Sequence, residues 1–280
     1  MARRKRAFTG QVNDLDLRLM RVFKKVIECG GLSAAQTELG VGRSTISKQI
    51  SDLELRLGVR LCHRGRSGFS LTQQGRQALD YMDQLLNAAD DFRANVAGLN
   101  ANLAGKIEIG MIDYTLSDGN NPLIPAIRAC RDSAPDVAIN LMTGTPAEVE
   151  RGVIDGRLHM GIVPDYQRHD GLQYDYLYDE EVGLFAGAGH PVAQSIATGG
   201  RLNEADIYTH ELVHRGYFES QALRDLKQRF PVGSTVYQTE AVLALVRSGV
   251  YLGFFPLHCR RSMSLDVVEI MPEVFRYQAP

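Results

Sequence analysis

The sequence has few cysteines, no long apolar run and none of the short motifs that mark common enzymes. Its four cysteines, Cys29, Cys62, Cys130 and Cys259, form no C-x-x-C pair. Neither a zinc site nor a disulfide framework is expected, and small buried residues are the simplest reading of them. No stretch approaches the roughly 18 consecutive apolar residues of a membrane helix. The basic opening Met1-Ala2-Arg3-Arg4-Lys5-Arg6 leads into no apolar signal-peptide core. The cytoplasm is therefore the expected location, with no membrane partner. Gly-x-Ser-x-Gly, His-Glu-x-x-His and P-loop patterns are missing. His190 and His210 lack metal-ligand spacing and read as turn or surface residues. No catalytic site, metal or cofactor is expected.

What is present is a strong internal charge asymmetry. The net charge of the 280 residues is only -2, yet residues 1–72 carry 14 Lys and Arg against 6 Asp and Glu, a net +8. The remainder carries 17 against 27, a net -10. A basic head on an acidic body suits a chain whose head meets a polyanion, because neutralised phosphates supply most non-specific DNA affinity.

The head has the periodicity of short helices. Leu15, Leu19, Val22, Phe23, Val26 and Ile27 recur at steps of three and four, and Gly30-Gly31 stops that stripe. Ser33 with Gln36 reads as a Ser-x-x-Gln capping box opening a second helix that ends at Gly40. After the turn Gly40-Val41-Gly42, a helix from Ser44 to about Leu57 puts Ile46, Ile50 and Leu53 on one face. Two short helices joined by a glycine turn predict a helix-turn-helix. Short strands on either side of Arg64-Gly65-Arg66-Ser67-Gly68 predict a wing with two arginines at its tip. From Thr72 a long helix carries Leu79, Met82, Leu86, Ala89, Phe92, Val96 and Leu99, a near-3.5 spacing that predicts a coiled-coil partner and hence a homodimer.

Beyond Gly105 strands alternate with helices: strands at 106–112, 137–142 and 159–163, with helices at 123–134 and 147–156. A second set places strands near 181–186, 211–214 and 251–255 and helices near 220–230 and 240–248. The alternation predicts parallel strands with crossover helices in two α/β lobes. The expected organisation is a basic leader over 1–12, a winged helix-turn-helix over 13–72, a linker dimerisation helix over 73–104 and an effector domain over 105–280. Lobe I is expected at about 105–178 and 251–280, and lobe II at about 179–250.

The head resembles the N-terminal domain of LysR-type transcriptional regulators. The resemblance rests on Leu19-Met20-Arg21-Val22-Phe23, Ser33-Ala34-Ala35, Leu39-Gly40-Val41, Ser44-Thr45-Ile46-Ser47-Lys48-Gln49-Ile50, Leu53-Glu54-x-x-Leu57-Gly58 and Leu71-Thr72-Gln73-Gln74-Gly75. The body is similar to the family's effector domain in Gly105-Lys106-Ile107-Glu108-Ile109-Gly110, His190-Pro191 and Gly249-Val250-x-Leu252-Gly253-Phe254-Phe255-Pro256. Cys62 replaces the family's usual Phe, and His159-Met160 its usual Asp-containing pair. The resemblance implies an α/β chain with an N-terminal winged helix-turn-helix, a long linker helix and a two-lobed, periplasmic-binding-protein-like effector domain. The partners it implies are double-stranded DNA with an inverted-repeat operator, a small-molecule effector, a second copy of the chain extending to a homotetramer, and RNA polymerase.

A recognition helix enters the major groove by its N-terminal end. The candidate DNA contacts are therefore Arg43, Ser44, Thr45, Ser47 and Lys48, with Arg64 and Arg66 from the wing. Arg43 suits guanine O6 and N7, and Arg43 and Ser47 are the expected specificity residues. In open α/β sheets ligands bind beyond the carboxyl ends of the strands. This nominates Asp113, Tyr114 and Thr115, then Thr145, then Asp165 beside Tyr166, and across the cleft Arg215 and Tyr217. Thr145 also heads a capping box, Thr145-Pro146-Ala147-Glu148, and by resemblance it matches an effector-contacting position. Arg215 is a candidate fork for an effector carboxylate, whereas Asp113 and Asp165 together would oppose a strongly anionic ligand, so the effector's charge stays open. A DNA binder that senses no ligand remains the alternative.

Overall fold

The computed structural model describes residues 10–65, 68–98, 103–217, 219, 221–262 and 266–279. Arg66, Leu99 and the leader through Thr9 lie outside the described residues. The chain divides near residue 100 into two compact units.

The first unit opens with α1 (Asp14–Glu28), capped by Asn13 in a reciprocal box with Asp16. Asp16 is fully buried and also receives the guanidinium of Arg56, which holds its carboxyl below the usual range. That pair ties the start of α1 to the end of α3 (Arg43–Leu57), with α2 (Ala35–Leu39) between them. Gly40 stands in the left-handed region at φ 64°, the conformation an abrupt turn between two helices requires. Strands β1 (Cys62–Gly65) and β2 (Gly68–Leu71) pair antiparallel as the wing, and α4 (Gln73–Gly98) follows. Phe23, Val26, Ile46, Ile50, Leu53 and Leu61 form a fully enclosed core.

Two local expectations are corrected here. Ser33 caps nothing: the backbone already turns there, with the Ala35 N–H on the Gly31 carbonyl at 3.1 Å, and the N-cap of α2 is Ala34 without a side-chain bond. The seam of α4 is also divided. Met82 and Leu86 are buried in this unit's own core, which leaves Leu85 exposed between them and Phe92 and Val96 exposed further along the helix.

The second unit contains two sheets. In the first, β3 (Ala104–Met111) lies between β4 (Asp136–Thr143) and β5 (Met160–Ile162), all parallel. Helices α5 (Leu123–Ser133) and α6 (Pro146–Ile154) make the crossovers, as the alternation predicts. The second sheet is built from β6 (Glu180–Gly187), β7 (Leu212–Arg215), β8 (Val232–Val236) and β9 (Leu252–Pro256), completed by β10 (Val267–Glu269) and β11 (Tyr277–Ala279). Its helices are α7 (Pro191–Ala197), α8 (Glu204–Ile207), α9 (Gln221–Lys227), α10 (Thr239–Arg247), α11 (Leu257–Ser262) and α12 (Pro272–Phe275).

The second sheet departs from two expectations. It is mixed, because β6 runs antiparallel to β9, β10 and β11, and only β7 with its neighbours β8 and β9 is parallel. Residues 251–280, expected with the first lobe, contribute their strands to this sheet. The reason is pairing: β9 bonds β6 on one side and β7 on the other, all five of its residues are buried, and Ile270, Phe275 and Ala279 share one core with Val182 and Leu212.

His190 is likewise no surface residue. It is 1% exposed, packs edge-on to His210 at 4.8 Å, and caps α7 by accepting the Val192 N–H on Nδ1 at 3.2 Å. Burial, with the neighbouring His210, pushes its imidazole down to about 4. The unfolded chain protonates this group near pH 6.5, so its stabilisation is complete above that pH and is lost as pH falls toward 4. This amounts to about 3 kcal/mol. Thermal melts between pH 7 and 4.5 should show the loss, and His190→Asn, which keeps a capping acceptor without titrating, should flatten it. An unchanged slope in that variant would assign the acid sensitivity elsewhere.

Candidate DNA interface and effector site

The start of α3 is held by its predecessor. The Gln36 side chain donates to the Ser33 carbonyl at 3.1 Å and accepts the Arg43 N–H at 3.1 Å, which fixes the first residue of α3 against α2. Arg43, Ser44, Thr45 and Lys48 are exposed and Ser47 is half-buried. Together they form a polar, cationic end of a helix whose opposite face, Ile46, Ile50 and Leu53, is fully buried. Arg43 and Lys48 make no ion pair with any described residue.

Arg64 behaves differently from the expected wing-tip contact. Its guanidinium turns inward, donating to the Ser47 carbonyl at 2.7 Å and pairing with Glu54. Its side chain is 18% exposed. The other Glu54 oxygen accepts the N–H groups of Leu61 at 2.8 Å and Cys62 at 3.2 Å. Glu54 therefore closes a brace from the middle of α3 to the first strand of the wing. The carboxylate ten residues back outcompetes solvent for the arginine, because it is already fixed by two backbone bonds. A signal was present: Ser47 and Glu54 are seven apart, hence on one face of the helix that must meet the wing.

In the second unit the nominated residues separate into three groups. Asp113 follows β3 and accepts from Thr239 N–H, Thr239 Oγ1 at 3.1 Å and Glu240 N–H at 3.4 Å. Its carboxylate thus occupies the N-terminus of α10, where helix N–H groups favour an anion. Arg215 donates to the same Thr239 hydroxyl at 3.0 Å and lies over the Tyr217 ring at 5.5 Å. Asp113, Thr239, Arg215 and Tyr217 thereby form one chain linking the two sheets. Tyr166 lies close enough to Tyr217 and Arg215 to feel their charge, and burial raises both phenols, Tyr217 to about 12. Both remain neutral hydrogen-bonding groups near pH 7.

Tyr114 and Thr115 are both engaged locally. Tyr114 holds a left-handed φ of 62° and packs against the core that contains Phe185 and Val242, while Thr115 is buried with its hydroxyl on the Ile112 carbonyl at 2.9 Å. Thr145 forms the capping box read from its sequence, exchanging bonds with Glu148 at 2.8 to 3.4 Å. Asp165 is paired with Arg168. A cavity of about 760 Å³ opens beside β5, lined by Leu123, Val149, Met160, Tyr178 and, of the nominated residues, Thr115 and Asp165. Thr239 escaped notice in the sequence because a threonine opening a helix is explained by capping alone.

A winged helix-turn-helix ahead of a two-sheet α/β domain defines a DNA-binding transcription regulator with a ligand-binding body. Residues 17–76 match the model for bacterial regulatory helix-turn-helix proteins of the lysR family, and residues 100–276 match the LysR substrate binding domain. The chain belongs to the LysR family and is a LysR-type transcriptional regulator, with a helix-turn-helix DNA-binding domain and an effector-binding domain. It is 36% identical over 279 residues to the HTH-type transcriptional activator BauR of Pseudomonas aeruginosa, covering 99% of this chain and 91% of that protein. Its fold is similar to that of CbnR, a LysR family transcriptional regulator, at a TM-score of 0.66 and 20% identity over 94% of this chain and 90% of that one. CbnR complexed with its target DNA gives a TM-score of 0.63 at 22% identity, over 94% and 91%.

Proposed function

We propose that Arg43, Ser44, Thr45, Ser47 and Lys48 read the operator in the major groove while Arg66 contacts its backbone. Arg64 serves instead as the brace that sets the wing against α3. Exposed Leu85, Phe92 and Val96 on α4 pair with the same face of a second copy. Dimerisation presents two recognition helices to an inverted repeat, with a homotetramer and RNA polymerase as further partners in the cytoplasm. The observation that carries this reading is the exposed cationic end of α3, with its first backbone amide pinned by Gln36.

The effector is a small carboxylate-bearing molecule that engages Arg215 between Tyr217 and Tyr166. In doing so it competes with Asp113 for the Thr239 end of α10, and this shifts the balance between arrangements of the two sheets. Arg43 provides the decisive test. Against a duplex selected from a random pool, Arg43→Ala should lose about 1–3 kcal/mol of binding, with much less lost on random duplex. Equal losses on both duplexes would reassign Arg43 to the phosphates.

A further inference from the structure

Where the two sheets meet, three side chains outside the effector reading converge: Asp118 just after the turn at Thr115–Ser117, Glu180 at the head of β6, and His258 on α11. His258 Nε2 lies 2.7 Å from Glu180 Oε1 and 4.0 Å from Asp118 Oδ2. One donor atom from each residue falls within 4.8 Å of the other two. The side chains are only 12% (His258), 19% (Glu180) and 9% (Asp118) exposed. Among the described residues no lysine or arginine pairs with either carboxylate.

The Ser117 hydroxyl lies 2.6 Å from His258 Nδ1 and 2.9 Å from the Tyr114 carbonyl, and its single hydrogen serves one of the two. When it goes to the carbonyl, Nδ1 carries the ring hydrogen and donates to the hydroxyl oxygen, and Nε2 offers its lone pair toward the two carboxylates. A metal ion held among the three donor atoms selects that tautomer. Two features favour a metal there: one nitrogen and two carboxylates converge within 4.8 Å, and a ligating histidine characteristically donates its other ring N–H to a neighbouring acceptor, for which the Ser117 oxygen is placed.

We propose that Asp118, Glu180 and His258 bind one divalent cation of the zinc class, with water completing the coordination. Nitrogen and carboxylate donors suit that ion, and modest side-chain rotations bring these atoms to the ~2.0–2.2 Å it requires. The other Asp118 oxygen is engaged by the Asn120 N–H at 2.8 Å, which leaves Oδ2 for the ion. Cys259 does not join: its sulfur lies 3.8 Å from Nδ1, the ring nitrogen that faces Ser117 rather than the carboxylates. Glu180 also lines the cavity beside β5, which provides an entry route. The ion ties a loop of the first sheet to β6 and α11 of the second and so favours one arrangement of the pair.

The 280-residue chain, stripped with chelator and titrated with Zn²⁺ in a calorimeter, should take up one equivalent, and bound metal should be counted after gel filtration. His258→Ala should abolish uptake. Asp118→Asn leaves the His258–Glu180 contact intact, so it should fold as the parent does while losing tight binding. Ser117→Ala touches no metal but frees the imidazole, and should weaken binding by about 10- to 100-fold. Circular dichroism melts verify folding, and Zn²⁺ should raise the melting temperature of the parent chain alone. No uptake by the parent overturns the proposal, as does undiminished uptake by Asp118→Asn, which would assign the metal to thiols such as Cys29 and Cys130. A proton persisting on His258 Nε2 under saturating Zn²⁺, seen by nitrogen-15 NMR, overturns it as well.

Discussion

Gly75→Ala is expected to unfold or severely loosen the DNA-binding unit while leaving the effector-binding unit folded. A Cβ at position 75 would stand 1.8 Å from the Leu61 carbonyl oxygen and 2.7 Å from its carbon, and both are backbone atoms that cannot rotate away. That carbonyl is already committed: it accepts the Thr72 N–H at 3.0 Å, while the Thr72 hydroxyl donates chiefly to the Arg60 carbonyl at 2.6 Å, with the Leu61 carbonyl at 3.2 Å, and takes the Gly75 N–H at 2.8 Å. Relieving the clash requires the start of α4 to move off the start of β1, breaking these bonds and opening the core around Leu61, Met82 and Leu86. Overpacking against backbone, together with two or three lost hydrogen bonds, amounts to about 4–5 kcal/mol. Two thermal transitions should separate, with only the first displaced and DNA binding lost with it. Gly42→Ala, where nothing lies within 4 Å and φ is an ordinary -67°, serves as the control and should change stability by about 1 kcal/mol or less. A melt for Gly75→Ala matching that control would refute the close approach.

The same glycine shows which parts of this protein its sequence announces. Helix periods, the glycine turn at Gly40 and the strand-helix alternation of residues 104–162 arise from neighbours within one or two turns, and they were legible. What was not legible depends on partners distant in sequence. Nothing local shows that Gly75 lies under the Leu61 carbonyl, or that Arg64 turns to Glu54 rather than to solvent. The fate of residues 251–280 is similar: a fully buried run such as Leu252–Pro256 announces a central strand, but not which sheet it centres. His190 reads as a turn or surface residue, and it does close a turn on Gly187, but its packing against His210 twenty residues on has no local signal.

The site divides along the same line. The exposure of Arg43, Ser44, Thr45 and Lys48 was legible because it follows from the buried face of that helix. The effector candidates lie at strand ends, and they differ in what each already holds: Asp113 caps α10, Thr145 closes its own capping box, and Asp165 holds Arg168. Arg215, whose guanidinium spans a hydroxyl and an aromatic face, keeps the most unspent donors of the group.

Glu54→Ala should cost the first unit about 4 kcal/mol, more than loss of any surface charge, because this one carboxylate satisfies three groups at once. Removing it strands the N–H groups of Leu61 and Cys62, both 0% exposed, and leaves Arg64 without its ion partner. Each buried unsatisfied donor costs about 1–3 kcal/mol, and an ion pair less than a fifth exposed adds to that. Glu54→Gln separates the two contributions. Its amide oxygen still accepts both N–H groups, so only the pairing with Arg64 is lost, and the cost should fall to about 1–2 kcal/mol. The functional consequence differs in kind from that of Arg43→Ala. With its carboxylate partner gone, Arg64 is held by the Ser47 carbonyl alone and ties the wing less firmly to α3, so Glu54→Gln should weaken specific and random duplex alike and leave base preference in a selected pool unchanged. Altered base preference in Glu54→Gln, with stability intact, would mean that Arg64 reads DNA after all and that its inward turn is not the state that binds.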